Sequence, residues 1–514
     1  MSITKNSELG LLYNSKEMEE QIALFDLQSG CDQDHAEVNY SDLYKYTDEM
    51  EAFLKEKGVG PDKRVVLAAR NSLSLVAMLL AIWRLRALAI PVDFRITAKE
   101  LSNIFHRVEA DLLVKSDILV MEDLEEKLAE KRELLFSLEG IAKKGSSNSR
   151  QASLQPEDID DDFPALIILT SGTTGMPKGA VHSYLSILKN LKELSSLVSL
   201  DRSKKVLMPL PASHIFGLEV ILIAILTRAS TIFCDLEPKS FGTAINRFEP
   251  EIVAGVPTIY SALLAQGSSK INLKKAEVLL SGGAPLPLPM AKAFEKEFGH
   301  RLNNGYGSTE SKIICLNIEG PLESVGRPIP SVVINIVGDD DSILDDSKVG
   351  EIYIKSDLLM TEYLNQPEKT QEVLTEKGYR TGDLGYLDDG YLFISGREKE
   401  MIIVAGNKVF PIEVEQVLSR SPIVQEIAIT GVDHKRLGQI VKATIVINDE
   451  ALSKGLEDSA EDKAKAAKEQ VLKELKEYSK ENLKRELRPM VWDIRPLSKP
   501  LPKTRSGKID KKIL

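Results

Sequence analysis

Hydroxyl side chains, glycines and one lysine are concentrated in the segment Leu169–Gly179, which reads LTSGTTGMPKG and follows an apolar run. A turn of this composition offers backbone N–H groups, side-chain donors and a mobile cation, which together suit a polyphosphate. It is not a Walker A motif, because there the lysine precedes Ser or Thr, whereas Lys178 precedes Gly179. The segment predicts a phosphate-binding loop, with an ordinary Gly- and Thr-rich turn as the alternative. Its predicted binding residues are Thr170, Ser171, Gly172, Thr173, Thr174, Gly175 and Lys178.

The elements that must position this loop follow a βαβ rhythm. Arg64–Ala69 is typical of a strand, and Leu73–Leu85 has the spacing of an amphipathic helix. Similar apolar runs, each expected to lead into a helix, are Leu166–Leu169, Lys205–Leu210, Ser230–Cys234, Glu251–Gly255 and Glu277–Leu280. This alternation predicts a layered α/β domain with β-sheets flanked by helices, and functional loops are expected after the strand ends.

The pattern changes towards the C-terminus. Strand-like segments separated by turns are Val332–Val337, Gly350–Lys355 and Tyr391–Ser395. A charged helix keeps apolar residues at helical spacing, namely Val471, Leu475 and Tyr478. These patterns predict a large N-terminal domain at 1–398, with a β-rich subdomain at about 321–395, and a small α+β domain at 399–514. The polar stretch Gly145–Asp162 is predicted to be a surface loop.

Composition excludes several classes of protein. A chain of 514 residues with 43% apolar residues can build sizeable cores, so it is not a small binding module. The formal net charge of -11 opposes nucleic-acid binding. Three widely spaced cysteines support neither a disulfide framework nor a zinc site, which favours a reducing cytoplasm. The N-terminus lacks the order of a signal peptide, and arginines interrupt the apolar stretches, so no transmembrane segment is expected.

Further motifs follow the phosphate loop in a fixed order. They are PASHIFG at 211–217, SGGAP at 281–285, GYGSTE at 305–310, YRTGD at 379–383, GREK at 396–399, PIEVE at 411–415 and PKTRSGK at 502–508. With the loop, this order resembles the adenylate-forming superfamily of acyl-CoA synthetases, adenylation domains and luciferases, and it is closest to the fatty acid or aryl acid CoA ligases. The resemblance covers roughly Val38 to the C-terminus. It implies that ATP and a carboxylic acid form an acyl-adenylate and pyrophosphate, after which a thiol takes the acyl group.

The resemblance also implies roles in catalysis. Glu310 would hold Mg²⁺, with Thr174 beside it, and His214 would line the region of the carboxylate and phosphates. Lys508 would reach the carboxylate and α-phosphate from a mobile C-terminal domain that rotates about the hinge residue Lys399. Outside the motifs, each of these residues has an ordinary structural alternative: a surface glutamate, a core histidine or a solvated basic tail.

The implied nucleotide contacts are distributed over three motifs. Gly283, Ala284 and Pro285 would form an edge against adenine, while Tyr306 would stack on the other side or be a core tyrosine. Asp383 would accept hydrogen bonds from the ribose, and Arg397 would support the same end of the nucleotide. The other implied contacts are Asn304, Gly307 and Thr309.

The nature of the acid and of the thiol follows from weaker signals. Apolar residues at helical spacing could face an acyl tail or simply form core, and they are Leu218, Val220, Ile221 and Ile223. A fatty or aryl acid fits best, because Phe216 is followed by Gly217, where amino-acid-activating relatives have aspartate. No carrier domain or attachment serine is seen, so coenzyme A is the first expectation and a separate acyl carrier protein the second. A non-catalytic ATP-binding relative is the alternative, and a monomer or homodimer is expected.

Overall fold

The computed structural model describes residues 12, 20–26, 36–117, 119, 123–128, 134–138, 140–141, 162–170, 178–448, 452–453, 456, 461–504 and 509–514. Within these ranges the protein is a mixed α/β structure, as predicted, with a large N-terminal part and a smaller C-terminal part. The predicted surface loop Gly145–Asp162 falls outside the described residues, apart from Asp162.

The described strands, in chain order, are β1 Ile22–Asp26, β2 Ala36–Asn39, β3 Arg64–Ala68, β4 Leu88–Val92, β5 Leu112–Lys115, β6 Leu135–Ser137, β7 Pro164–Thr170, β8 Lys178–Ser183, β9 Lys205–Met208, β10 Ser230–Phe233, β11 Ile252–Gly255, β12 Val278–Ser281, β13 Asn303–Ser308, β14 Lys312–Leu316, β15 Arg327–Pro328, β16 Val333–Val337, β17 Gly350–Lys355, β18 Glu362–Tyr363, β19 Leu374–Thr375, β20 Gly378–Asp388, β21 Tyr391–Arg397, β22 Ile402–Val404, β23 Asn407–Val409, β24 Val424–His434, β25 Gly438–Ile447 and β26 Val491–Arg495.

The described α-helices are α1 Tyr40–Glu56, α2 Leu73–Arg84, α3 Ala98–Arg107, α4 Leu124–Leu128, α5 Tyr184–Leu197, α6 Ile215–Thr227, α7 Pro238–Phe248, α8 Pro257–Gln266, α9 Leu288–Phe298, α10 Pro367–Val373, α11 Pro411–Leu418 and α12 Glu461–Asn482. Local capping signals explain several of their starts. Ser72 caps α2 by accepting a hydrogen bond from the Leu75 N–H, and Thr97 with Glu100 forms a capping box on α3.

Two large sheets form the body of the N-terminal part. Sheet I has seven strands in the order β18-β8-β7-β4-β3-β5-β6, and sheet II has nine in the order β15-β14-β13-β12-β11-β9-β10-β1-β2. The inner strands β3 and β4 are parallel and almost entirely buried, as expected for a sheet covered on both faces. Both sheets contribute to one large apolar core, which α2, α5 and α6 fill with aliphatic side chains.

One part of the predicted rhythm is wrong. The strand at Leu166 does not lead into a helix; it pairs antiparallel with β8, which begins at Lys178, and a helix begins only at Tyr184. The two ends of the predicted phosphate loop are thereby the paired ends of adjacent strands, with Thr170 opposite Lys178.

Two smaller sheets complete the described structure. Sheet III contains β16, β17, β20, β19 and β21, and its strands agree with the predicted β-rich subdomain. Sheet IV has the order β23-β22-β25-β24, with β26 beside β25, and has its own core with α11 and α12. Val471 and Leu475 of α12 are fully buried there, as their helical spacing predicted. The domain boundary at 398/399 stays a prediction. None of the described helices has the length and apolar character needed to span a membrane.

Candidate active site

A cavity of about 760 Å³ is lined by residues of sheet I, sheet II and the helices between them. It brings together six residues that the sequence motifs singled out: Thr170, His214, Gly283, Tyr306, Gly307 and Thr309. These residues come from the ends of β7 and β13, the N-terminus of α6 and the loop after β12. The predicted location of functional loops at strand ends therefore agrees with the position of the cavity.

His214 owes its position to the tight start of α6. It is the N-cap residue of the helix, and its backbone carbonyl accepts a hydrogen bond from the N–H of Leu218 at 2.9 Å. A Cβ atom on Gly217 would lie 2.4 Å from the carbonyl oxygen of Pro211, so only glycine permits this approach of helix and loop. Asn71 holds the same loop by donating to the carbonyl of Leu210 at 2.7 Å. The imidazole is thus presented to the cavity on a rigid support.

Tyr306, Asp383 and Arg397 form one hydrogen-bonded group. The Tyr306 hydroxyl donates to Oδ2 of Asp383 at 2.7 Å, and Nε of Arg397 donates to Oδ1 at 2.7 Å. Burial and the neighbouring Asp383 carboxylate raise the pKa of Tyr306 well above its ordinary value, so the hydroxyl stays a donor. Asp383 and Arg397 face each other on β20 and β21. Residues that the motifs assigned to the ribose and adenine therefore lie side by side.

Glu310 and Lys178 meet through a residue that the sequence motifs did not single out. The hydroxyl of Tyr363 donates to Oε1 of Glu310 at 2.7 Å, and Nζ of Lys178 lies 4.4 Å from the centre of the Tyr363 ring. Burial and the charges of Lys369 and Lys399 lower the pKa of Lys178, while Glu310 opposes them. The signal for Tyr363 was weak, because its two-residue strand β18 is recognisable only from its pairing with β8.

The donor set at Glu310 fits a magnesium ion that also touches phosphate. Mg²⁺ is usually held by one or two carboxylates together with substrate phosphates and water. Tyr363 occupies Oε1 of Glu310, and among the described residues Oε2 has no hydrogen-bond partner. Within the same residues no group of three or more His, Cys, Asp or Glu side chains could hold a metal by itself.

The C-terminal tail also reaches the cavity. Thr504 and Lys512 line it, and a bridge between Lys503 and Ile509 draws the two ends of the intervening segment together. Lys508 lies in that segment and is outside the described residues. The central residues of the predicted phosphate loop are also outside the described residues: Ser171, Gly172, Thr173, Thr174 and Gly175. Their roles stay predictions, although Thr170, directly before the phosphate-loop residues, and Thr504, directly before the segment of Lys508, line the cavity.

Besides Lys178, Glu310, Asp383 and Arg397, four further predicted residues lie outside the cavity lining. Asn304 is buried in β13, where its backbone carbonyl accepts from the N–H of Asn317 at 2.8 Å. Ala284 and Pro285 continue the exposed turn that Gly283 begins, and Lys399 is exposed at the start of the C-terminal part. Their assignments to the nucleotide and the hinge remain proposals.

The comparisons with known proteins agree with these motifs. Residues 13–364 match the family model of the AMP-binding enzyme, and residues 413–508 match that of the AMP-binding enzyme C-terminal domain. The chain is 32% identical to the probable CoA ligase CCL8 of Humulus lupulus, over 88% of this chain and 79% of that protein. It is 31% identical to the malonate–CoA ligase of Arabidopsis thaliana, over 90% and 79% of the two chains.

A solved structure shares the fold. ATP-bound MatB from Rhodopseudomonas palustris superimposes with a TM-score of 0.83 at 23% identity, over 99% of this chain and 98% of that chain. The two family models and the CoA-ligase relatives place the chain in the adenylate-forming superfamily, near the acyl- and aryl-CoA ligases. The chain belongs to the AMP-binding enzyme family.

Proposed function

We propose that this protein is an AMP-forming carboxylate–CoA ligase for an apolar acid. The observation that carries the proposal is the aliphatic wall of the cavity where it lies between α5, α6 and sheet II. The aliphatic residues of this wall are Leu194, Val198, Leu200, Val206, Val220, Ile223, Ile252, Val256, Leu280 and Leu316. Of the helix positions predicted for an acyl tail, Val220 and Ile223 line the cavity, whereas Leu218 and Ile221 are core residues outside the lining.

The reaction assigned to this cavity has two steps. A carboxylate oxygen attacks the α-phosphorus of ATP and pyrophosphate leaves; then the sulfur of coenzyme A attacks the acyl carbon and AMP leaves. Tyr306, Asp383 and Arg397 would hold the nucleoside end, and His214 would lie near the reacting carboxylate. Mg²⁺ on Glu310 would neutralise phosphate charge. Lys508 would stabilise the charge that develops in the first transition state.

A neutral tail fits the cavity better than a second carboxylate does. A buried carboxylate needs a cationic or hydrogen-bonding partner, because burying an unpaired charge is very costly. Lys312, which lines the cavity, already donates to three groups of the protein. The proposed acid is therefore a fatty or aryl acid rather than a dicarboxylate such as malonate, although a malonate–CoA ligase is among the relatives.

The test is acid-dependent release of pyrophosphate from Mg-ATP, with fatty, aryl, dicarboxylic and amino acids, each with and without coenzyme A. The expected result is release with an apolar acid, formation of its CoA thioester, and a loss of about 10² to 10³ in rate for Lys508→Ala. Lys499→Ala, an exposed lysine nearby in the C-terminal part, is the matched control.

Each other outcome has a definite meaning. If malonate is the preferred acid, the assignment of an apolar substrate is wrong. If pyrophosphate is released but coenzyme A is never acylated, the acceptor is an acyl carrier protein. If ATP binds and no acid releases pyrophosphate, the protein is a non-catalytic relative, and the proposed function is wrong.

A further inference from the structure

Lys312 is a buried cation directly behind the turn that carries Glu310. Its side chain has no solvent exposure, and its backbone adopts a left-handed conformation with φ +63°. Both features are unfavourable for lysine, because a buried ammonium loses its hydration and a side chain crowds the left-handed backbone. A hydrophobic residue would avoid the first cost. The position of Lys312 therefore calls for a specific compensating role.

The ammonium of Lys312 is compensated by three acceptors on two other segments. It donates to the backbone carbonyl of Leu358, to Oγ of Ser186 at 3.2 Å, and it contacts Nδ1 of His182 at 3.2 Å. His182 is the penultimate residue of β8, and Ser186 lies in the first turn of α5. One side chain thus joins β14 to the β8–α5 corner and to the loop before β18.

The same two segments also hold the turn itself. Nε2 of His182 lies 2.7 Å from the backbone carbonyl of Thr309, and the backbone carbonyl of Glu310 accepts from the N–H of Met360 at 2.7 Å. Lys312 contacts His182 directly and Leu358 two residues before Met360. The Lys312 ammonium therefore holds His182, which contacts the carbonyl of Thr309, and the segment of Met360, which donates to the carbonyl of Glu310.

The close approach at Gly307 limits any adjustment of this turn. A Cβ atom there would lie 2.0 Å from the carbonyl oxygen of Lys312, so the two strands meet without room for a side chain. On the other side, Glu219 of α6 accepts a hydrogen bond from the N–H of Ile313 at 3.1 Å. This hydrogen bond attaches the strand that carries Lys312 to α6.

We propose that Lys312 is a positioning residue for the Mg-ATP site, holding the Thr309–Glu310 turn through His182 and Leu358. This inference depends on the proposed function, because it assumes that Glu310 acts on Mg-ATP. Partners that orient a metal ligand without touching the metal commonly change affinity or activity about 10- to 100-fold when they are removed. Lys312 lines the cavity, but its ammonium is bound to His182, Ser186 and Leu358 and is assigned no contact with the acid or the nucleotide.

The test compares Lys312→Met, which keeps the length of the side chain and removes the charge, with the wild type. The expected result is a rise of about tenfold in the KM for Mg-ATP and in the Mg²⁺ concentration for half-maximal rate. The KM for the acid should change less than about threefold, since the aliphatic wall is untouched. Lys189→Met is the matched control, because Lys189 forms an exposed ion pair with Asp357, next to Leu358, at 2.6 Å.

Binding of Mg-ATP without any acid, measured by titration calorimetry, separates the two proposals. A wild type that binds Mg-ATP but activates no acid would overturn the proposed function, while a weaker Kd in Lys312→Met would still support the positioning role. A folded Lys312→Met with an unchanged Kd and KM, or with equal losses for ATP and acid, would overturn that role. If Lys312→Met does not fold, Ser186→Ala decides: an unchanged Kd for Mg-ATP would overturn the proposal.

Discussion

The hydroxyl of Tyr363 donates a hydrogen bond to Oε1 of Glu310 at 2.7 Å, across 53 positions of the chain. Tyr363 belongs to β18, an edge strand of sheet I that pairs with β8 opposite Ala180. The same tyrosine ring lies under the ammonium of Lys178. Through one aromatic side chain, the proposed magnesium ligand and the lysine of the phosphate loop therefore acquire a common support.

We predict that Tyr363→Phe weakens the use of Mg-ATP while leaving the fold intact. Hydrogen bonds to charged groups contribute about 1.5 to 3 kcal/mol, so a rise of about tenfold in the KM for Mg-ATP is expected. Burial and Glu310 raise the pKa of Tyr363, so the hydroxyl remains protonated at every working pH. Steady-state kinetics at saturating acid measure the effect, with Tyr46→Phe on α1 as control. An unchanged KM would show that Tyr363 does not orient Glu310.

Gly305 is predicted to set the length of the acid. It lines the cavity, and a Cβ atom there would meet its nearest neighbour, the carbonyl of Cys315, at 3.5 Å, which is ordinary contact. Gly305→Val should therefore fold and place its methyl groups in the acyl space. We expect the preferred fatty acid to become shorter by about two or more carbons, since each buried CH₂ contributes about 0.8 kcal/mol. The measurement is kcat/KM for fatty acids of increasing chain length, in the wild type and in Gly305→Val. If both proteins prefer the same chain length, the acid does not bind beside Gly305.

Glu219 is predicted to make the free energy of unfolding depend on pH. Burial raises the pKa of this carboxyl to about 8, against an ordinary value of 4.5. Between these values the folded state retains a proton that the unfolded state has lost, so the free energy of unfolding falls as pH rises from about 5 to 8. The slope should be on the order of 1 kcal/mol per pH unit.

Glu219→Gln should remove most of this slope. Urea unfolding of both proteins at pH 5, 6.5 and 8 is the measurement, because the linear extrapolation gives the free energy of unfolding at each pH. Parallel pH profiles for the wild type and Glu219→Gln would mean that the carboxyl is already ionised in the folded protein at pH 5.

Ala405 carries local strain at the turn between β22 and β23. Ala405 and Gly406 both have positive φ, at +50° and +86°. A left-handed conformation costs a non-glycine residue about 1 to 2 kcal/mol, and the greater freedom of glycine in the unfolded chain offsets part of any gain. We expect Ala405→Gly to stabilise the protein by about 0.5 to 1 kcal/mol.

A second glycine substitution tests the sign of this effect. Ala466→Gly, on the exposed side of α12, should destabilise by about 0.5 to 1 kcal/mol, because glycine is unfavourable inside a helix. Urea unfolding of both variants is sufficient. If Ala405→Gly lowers the free energy of unfolding, the left-handed conformation of Ala405 does not strain the protein.

Element positions followed closely from local patterns. The strand Arg64–Ala68 and the helix Leu73–Arg84 each end within one residue of their predicted limits, and Gly350–Lys355 matches its prediction. Hydrophobic periodicity depends only on residues close together in the chain, so it can be recognised from the sequence alone. The strand at Lys178 was missed, because its pairing with β7 depends on a partner across a loop and not on its own spacing.

By itself, the sequence determined the α/β class, the family and the residues with the chemistry to handle a nucleotide, since motifs and periodicity are short-range features. The tertiary structure decided which of these residues contact one another or a common neighbouring side chain. The contacts of Tyr363 with Glu310, of Lys312 with His182, and of Tyr306 with Asp383 join positions 53, 130 and 77 residues apart. A buried polar group must find a partner wherever packing brings one near, and that choice is made by the assembled sheets rather than by spacing along the chain.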